Sequence, residues 1–144
     1  MAYFEVKARY QKTTESGMKK TVTEPYIVEE LTPGGAEDRL ITEIQDFYTD
    51  ISVTDVCKRN IAEIFGSDNA EDDRWYKVKA VFVSFNENTG TEKRTPSIYL
   101  IQAKDFATAH RRFTELMKDT VSDYEIHSIT ETQIMDCYGD IHCD

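Results

Sequence analysis

Six cations are spaced so that an anion could be held against a strand. Lys7 and Arg9 occupy alternate positions near the start of the chain, Lys77 and Lys79 repeat that spacing, and Lys93 with Arg94 follow the second pair. Lys19 and Lys20 stand in the corresponding place after the first pair. Ammonium and guanidinium groups give charge-assisted hydrogen bonds to phosphate oxygens, and nearby aromatics offer stacking surfaces. The chemistry implied is retention of a nucleotide or a single-stranded nucleic acid. The same side chains also solvate a sheet face or blunt a strand edge, the commoner use of such residues.

Other reactive residue types lack the company that their chemistry needs. Cys137, His142 and Cys143 lie close in sequence, but a structural zinc site takes about four convergent ligands, and Cys137 stands where the first half of the chain has Ile64, the place of a small core residue. His110, beside Arg111 and Arg112, reads as a surface residue, and His127 lies on the outward side of a strand. Neither belongs to a motif that brings Ser or Cys within reach. Asp68, Glu71, Asp72 and Asp73 lack the 12-residue calcium loop with its glycine and terminal glutamate, so they read as a solvated acidic linker. Gly34-Gly35 is not part of a phosphate loop. No catalytic residue, metal or cofactor is assigned. A small enzyme would require a pocket that gathers distant residues, for example His127 beside Cys57 or an aspartate.

The elements that must position these groups follow from periodicity. Phe4, Val6, Ala8 and Tyr10 alternate with Glu5, Lys7, Arg9 and Gln11, the signature of a strand with one buried face. Residues 13–17 are turn chemistry closed by Gly17, and a second strand runs from about Lys19 to Glu30. Pro25 within it predicts an edge or a bulge. Thr32 and Pro33 predict a helix start, weakened by Gly34 and Gly35, and Ala36, Leu40, Ile44 and Phe47 supply its apolar stripe. Ile51 and Val53 begin a third strand, expected to continue, bent near residues 56–60, through Ile61 to Phe65. The order then recurs. Tyr76, Val78, Ala80 and Phe82 form a strand whose other side carries Val81, Val83 and Phe85, as for a strand covered on both sides. Residues 86–90 turn, and residues 97–103 form the next strand. Asp105 caps a helix bearing Phe106, Ala109, Phe113, Leu116 and Met117. Tyr124, Ile126, Ile129, Ile134 and Tyr138 mark a last, long strand.

Residues 3–65 therefore recur in degenerate form at 75–138. Tyr10 falls opposite Phe82, Gly17 opposite Gly90, Ala36 opposite Ala109, Ile61 opposite Ile134 and Phe65 opposite Tyr138, with one constant offset from the glycine onward. The expected fold class is α+β: tandem duplicated ββαβ units, a mostly antiparallel sheet with two helices packed on it, and pseudo-two-fold symmetry. The expected organisation is a single domain over 1–144, with repeat 1 at 3–65, an acidic linker at 66–74, repeat 2 at 75–138 and a short tail at 139–144. Each copy is near the small end of what folds alone, so the halves are expected to pack together.

The chain has 144 residues, with 27 acidic against 17 basic side chains and a net charge of −10. That charge disfavours nucleic-acid binding over a broad surface, though not over a local basic face. No apolar run is long enough to cross a bilayer, and residues 1–12 alternate like a strand rather than following a signal-peptide layout. Three cysteines without framework spacing read as reduced thiols, and the expected location is the cytoplasm.

The stretches 3–28, 73–95, 101–113 (IQAKDFATAHRRF) and 123–138 (DYEIHSITETQIMDCY) resemble a family found in Bacteroidetes and in phages and mobile elements of those bacteria, domain of unknown function 4494. The resemblance implies no activity and no catalytic residues. It implies a phage or mobile-element origin and a small accessory role that modulates a host protein. The expected function is that of a non-catalytic cytoplasmic binding protein whose partner is a host protein or a second copy. Glu37, Asp38, Glu43, Asp46 and Asp50 would present a negative face able to occupy a nucleic-acid-binding protein. The rival readings are nucleotide or single-stranded nucleic-acid binding through Lys7, Arg9, Lys77 and Lys79, and a small enzyme.

Overall fold

A computed structural model of the chain describes residues 1–143. Asp144 of the expected tail lies outside the described residues, as do the side chains of His142 and Cys143. The fold is α+β, with two helices and two mostly antiparallel sheets.

In the first unit, β1 (Ala2–Thr13) and β2 (Lys19–Glu30) form an antiparallel hairpin in unbroken register from Ala2↔Glu30 to Thr13↔Lys19. Gly17 closes the turn with φ 83, a conformation that costs a glycine little. Helix α1 (Pro33–Ile44) follows, and the Thr32 hydroxyl accepts from the Gly35 N–H at 3.0 Å. That cap, with Pro33 already at a helical φ, starts the helix at Pro33 despite the two glycines. The helix ends at Ile44. Phe47, expected in its apolar stripe, lies beyond the last turn and is 76% exposed. Strand β3 (Thr49–Arg59) then returns antiparallel to β1. Phe4, Val6, Ala8 and Tyr10 from β1, Tyr26 and Val28 from β2, and Ala36, Leu40 and Ile44 from α1 make the core.

The second unit repeats the arrangement. Strands β5 (Arg74–Asn86) and β6 (Thr91–Ala103) pair antiparallel around Gly90, whose φ is 66. Asp105 caps α2 (Phe106–Leu116), accepting from the Thr108 N–H at 2.7 Å. Strand β7 (Asp123–Glu131) pairs with β5. Tyr76, Val78, Ala80, Tyr99, Ile101, Ala109, Phe113 and Met117 build the core at the matched positions, and Ala103 joins them. The expected two-sided cover of β5 holds for Val81, at 4% exposed, but not for Phe85, at 65%.

The expected third strand of each copy does not continue as one strand, and this is the main correction to the sequence reading. After β3 the chain leaves the first sheet. Strand β4 (Glu63–Gly66) pairs parallel to β6, setting Ile64 beside Leu100 and Phe65 beside Ile101. After β7 it leaves the second sheet, and β8 (Cys137–Tyr138) pairs parallel to β2, setting Cys137 beside Ile27 and Tyr138 beside Val28. The short β9 (His142–Cys143) then lies parallel to β4. The sheet orders are β3-β1-β2-β8 and β7-β5-β6-β4-β9. The compact units therefore consist of residues 1–60 with 133–140, and of 61–132 with the segment from Ile141 onward. Phe65, from the first repeat, sits in the core of the second unit, and Tyr138, from the second repeat, packs on the core of the first.

The two departures match bond for bond. Met135 N–H donates to the Pro25 carbonyl at 2.9 Å, and Ala62 N–H donates to the Ile98 carbonyl at 2.7 Å. Asp140 N–H donates to Glu29 Oε1 at 3.0 Å, and Ser67 N–H donates to Gln102 Oε1 at 2.9 Å. Tyr138 stacks on Tyr26 with centroids 6.2 Å apart, and Phe65 stacks on Tyr99 at 6.0 Å. Such agreement supports a tandem duplication whose two copies exchange their last strands.

Candidate binding surface

Strand alternation fixes where the cations stand. In β1 the residues between the core positions turn away from α1, so Lys7 and Arg9 are exposed on the far face of the first sheet. Lys7 lies between Pro25 of β2 and Asp55 of β3, and Arg9 lies between Thr23 and Ser52. In the second unit Lys77 lies between Leu100 and Thr130, and Lys79 lies between Ile98 and Ser128, again on the face away from the helix. Each pair is thus gathered on one sheet, and the two pairs belong to different units.

A bulge adjoins each pair, at Lys7/Ala8 and at Lys79/Ala80. The unpaired residue is Thr54 in one sheet and His127 in the other, and both are exposed. Thr54 Oγ1 donates to the Lys7 carbonyl at 3.3 Å. Bulges re-aim side chains and twist a strand, and Thr54 and His127 are the residues that these two leave unpaired in the ladder.

Among the described residues Lys7, Arg9, Lys77, Lys79 and Lys93 have no ion-pair partner. Arg94 is different: it pairs with Glu125 at 2.5 Å and with Glu92 at 3.6 Å, so its charge is already met. Lys93 and Arg94 line a shallow depression of about 740 Å3 at the tip of the β5–β6 hairpin, with Phe85, Glu87 and Glu92. They stand apart from Lys77 and Lys79 along the strands.

Two polar clusters escaped the sequence reading. In the first unit, Tyr10 Oη donates to Glu24 Oε1 at 2.7 Å and lies 2.8 Å from Tyr26 Oη, while its ring stacks on Tyr48 with centroids 4.0 Å apart. Lys12 Nζ meets Glu24 Oε1 at 2.8 Å. Burial first, and then the bonds to Tyr26 and Glu24, hold the Tyr10 phenol well above its ordinary pKa. Burial pushes Tyr26 up to about 12, and raises Tyr138 as well. Phenols so held stay neutral, and only Glu24 and Lys12 bring charge to this cluster.

In the second unit, Arg112 is buried. Nη1 donates to the Gln102 carbonyl and Nη2 donates to the Gly66 carbonyl at 2.9 Å, which fastens the end of β4. Asp72, expected in a solvated linker, is 6% exposed and accepts from Lys104 N–H at 3.1 Å and from Ser67 Oγ at 2.5 Å. A buried guanidinium is tolerated because carbonyl acceptors replace its water. These residues border an open depression of about 510 Å3 with Arg111 and Glu115. Their charge read as solvation in the sequence. The one available signal was spacing, since Arg112 falls on the Thr108–Ala109–Phe113 side of α2.

His110 and His127 are exposed, and His127 belongs to the second unit whereas Cys57 belongs to the first. Cys57 Sγ accepts from Arg59 Nη1 at 3.1 Å. Cys137 is buried, and burial raises its thiol pKa well above the ordinary value. Among the described residues no three His, Cys, Asp or Glu side chains converge on a point where a metal could sit. No helix there is long and apolar enough to cross a membrane. The arrangement sets cations on one face of each sheet, and it leaves acids along α1 with Phe47 exposed in the turn that follows.

No curated protein and no solved structure matches the chain. Residues 2–140 match the model of the family described as Domain of unknown function (DUF4494), and the chain belongs to that family.

Proposed function

We propose that this DUF4494 protein is a non-catalytic binding protein that acts in the cytoplasm by occupying a basic surface on a host protein through α1 and the turn that follows it. The observation that carries this reading is Phe47, a large apolar side chain left 76% exposed in an acid-rich segment. Glu37, Asp38, Glu43, Asp46 and Asp50 lie along α1 and the turn after it, where the one cation in the segment is Arg39, paired with Glu43 at 3.8 Å. The matched stretch, residues 110–123, has Arg111, Arg112 and Lys118 against Glu115, Asp119 and Asp123, so it is balanced. An exposed aromatic on an acid-rich segment suits a partner with an apolar pocket and a basic rim. The resemblance to proteins of phages and mobile elements fits a small host-modulating product. Capture from a host lysate, repeated with Phe47→Asp and with the Asp38→Lys, Asp46→Lys double variant, tests the reading. The captured protein should be lost in both variants at unchanged thermal stability. Retention by the double variant sinks it.

A second reading has an observation of its own: Lys7, Arg9, Lys77 and Lys79 are exposed and, among the described residues, have no ion-pair partner. A nucleotide or single strand held on one such pair would lose roughly sevenfold in affinity when salt rises fourfold, the expectation for two phosphate contacts. The Lys7→Glu, Lys79→Glu double variant should abolish it. Indifference of thermal stability to nucleotides and oligonucleotides ends this alternative.

A further inference from the structure

The strand exchange has a property that the binding reading does not use. Strand β4 comes from the first repeat but completes the second sheet, and β8 comes from the second repeat but completes the first. A complete pair of sheets requires only that a first repeat meet a second repeat. In one chain their covalent connection is the segment 67–73.

That segment has a measurable task. Phe65 pairs with Ile101 and Arg74 with Ala103, so the chain leaves β4 on one side of β6 and enters β5 on the other. Two strand spacings separate those points, about 9.6 Å. At about 3.3–3.6 Å per residue, the crossing needs roughly three links. The natural segment is longer, and its surplus is folded into a bonded loop. Asp72 N–H donates to the Asn69 carbonyl at 3.0 Å, Asn69 N–H donates to Ser67 Oγ at 3.1 Å, and Glu71 N–H donates to Asn69 Oδ1 at 3.0 Å. The Asp72 carboxylate ties Ser67, at the end of β4, to Lys104, at the end of β6. The Lys104 bond lies within the second repeat, and the Ser67 bond joins that repeat to the end of β4.

We infer that a second copy of this chain can complete the fold, residues 1–66 of one copy interlocking with residues 74–143 of the other, and that the length of the 67–73 segment selects closure within one chain. Every strand pairing is kept in the interlocked dimer. Domain swapping of this kind needs little beyond a connection that can no longer close.

Deletion of Ser67–Asp72 tests this on the full chain. The single residue left between Gly66 and Arg74 spans about 7 Å over two links, too short for the crossing. Light scattering should give twice the parent's mass, with an unchanged far-ultraviolet spectrum. A folded species at the parent's mass overturns the inference. A second measurement decides the matter if the deletion does not fold. A protease site placed at Asn69–Glu71 allows the intact protein to be cut, and the fragments should stay together in native buffer and part only in denaturant. Fragments that separate in native buffer overturn it equally.

Discussion

Arg39 and Arg112 occupy the same place on the helices of the two units, yet they differ in almost every respect. Arg112 is buried and holds the carbonyl of Gly66 at the end of the incoming β4, whereas Arg39 lies on the surface beside Glu43. Where Gln102 receives the Ser67 N–H in one unit, the Glu29 carboxylate receives the Asp140 N–H in the other. At the far end the contrast reverses. Tyr10, Tyr26 and Glu24 form a hydroxyl network in the first unit, and the matched places in the second carry Phe82, Tyr99 and Ser97, with Phe82 against Tyr124. One scaffold has therefore been stabilised in two ways: by a guanidinium clamp on the imported strand, and by neutral phenols at the open end of the sheet. The lesson is that matched positions keep their backbone bonds while their side-chain chemistry drifts.

The comparison can be broken by removing what each unit depends on. The largest effect belongs to Phe65→Ala, which should cost about 4 kcal/mol and shift the urea transition of Trp75 fluorescence, although Phe65 lies in the first repeat and Trp75 in the second. Next comes Arg112→Ala, expected to cost about 3 kcal/mol because two carbonyls lose their donor. Its twin Arg39→Ala should stay within about 0.5 kcal/mol by the same denaturation. Equal effects of the two would erase the asymmetry described above.

The phenol network gives a smaller and pH-dependent difference. Tyr10→Phe should cost about 1 kcal/mol by thermal unfolding. Tyr26 titrates near 12 when folded and near 10 when unfolded, so its contribution is whole below pH 10 and falls as pH rises towards 12. Stability should therefore drop over that window, and Tyr26→Phe should make the drop smaller, the raised Tyr10 and Tyr138 phenols supplying the rest. Smallest is the acid limb. The Asp105 carboxyl, bonded to Thr108, is held below its ordinary 3.8, so its support of α2 is present above that value and fades as pH falls through the folded one. Thr32, its counterpart on α1, does not titrate, and Asp105→Ser should remove the difference in a pH series.

Much of the scaffold was legible because local rules decide it. The alternation of Phe4 to Tyr10, the glycines at 17 and 90, and the caps Thr32 and Asp105 each act over a few residues, and each fell where the sequence put it. Ile64–Phe65 and Cys137–Tyr138 were readable as strands but not as strands of the opposite unit, since a two- to four-residue strand takes its address from the edge that accepts it. Phe47 was misread because periodicity continues past Ile44 while the helix does not. Of the site, the outward setting of Lys7, Arg9, Lys77 and Lys79 followed from alternation alone. The burial of Arg112 and Asp72 did not, because a charged side chain reveals its acceptors only once the fold supplies them.

Backbone nuclear Overhauser contacts in the isotope-labelled, unmutated chain test the strand exchange most directly. The fold described here predicts contacts joining Ile27 and Val28 to Cys137 and Tyr138, and contacts joining Leu100 and Ile101 to Ile64 and Phe65. Contacts of Cys137 and Tyr138 with Leu100 and Ile101 instead would mean that each last strand returns to its own repeat, and would contradict it.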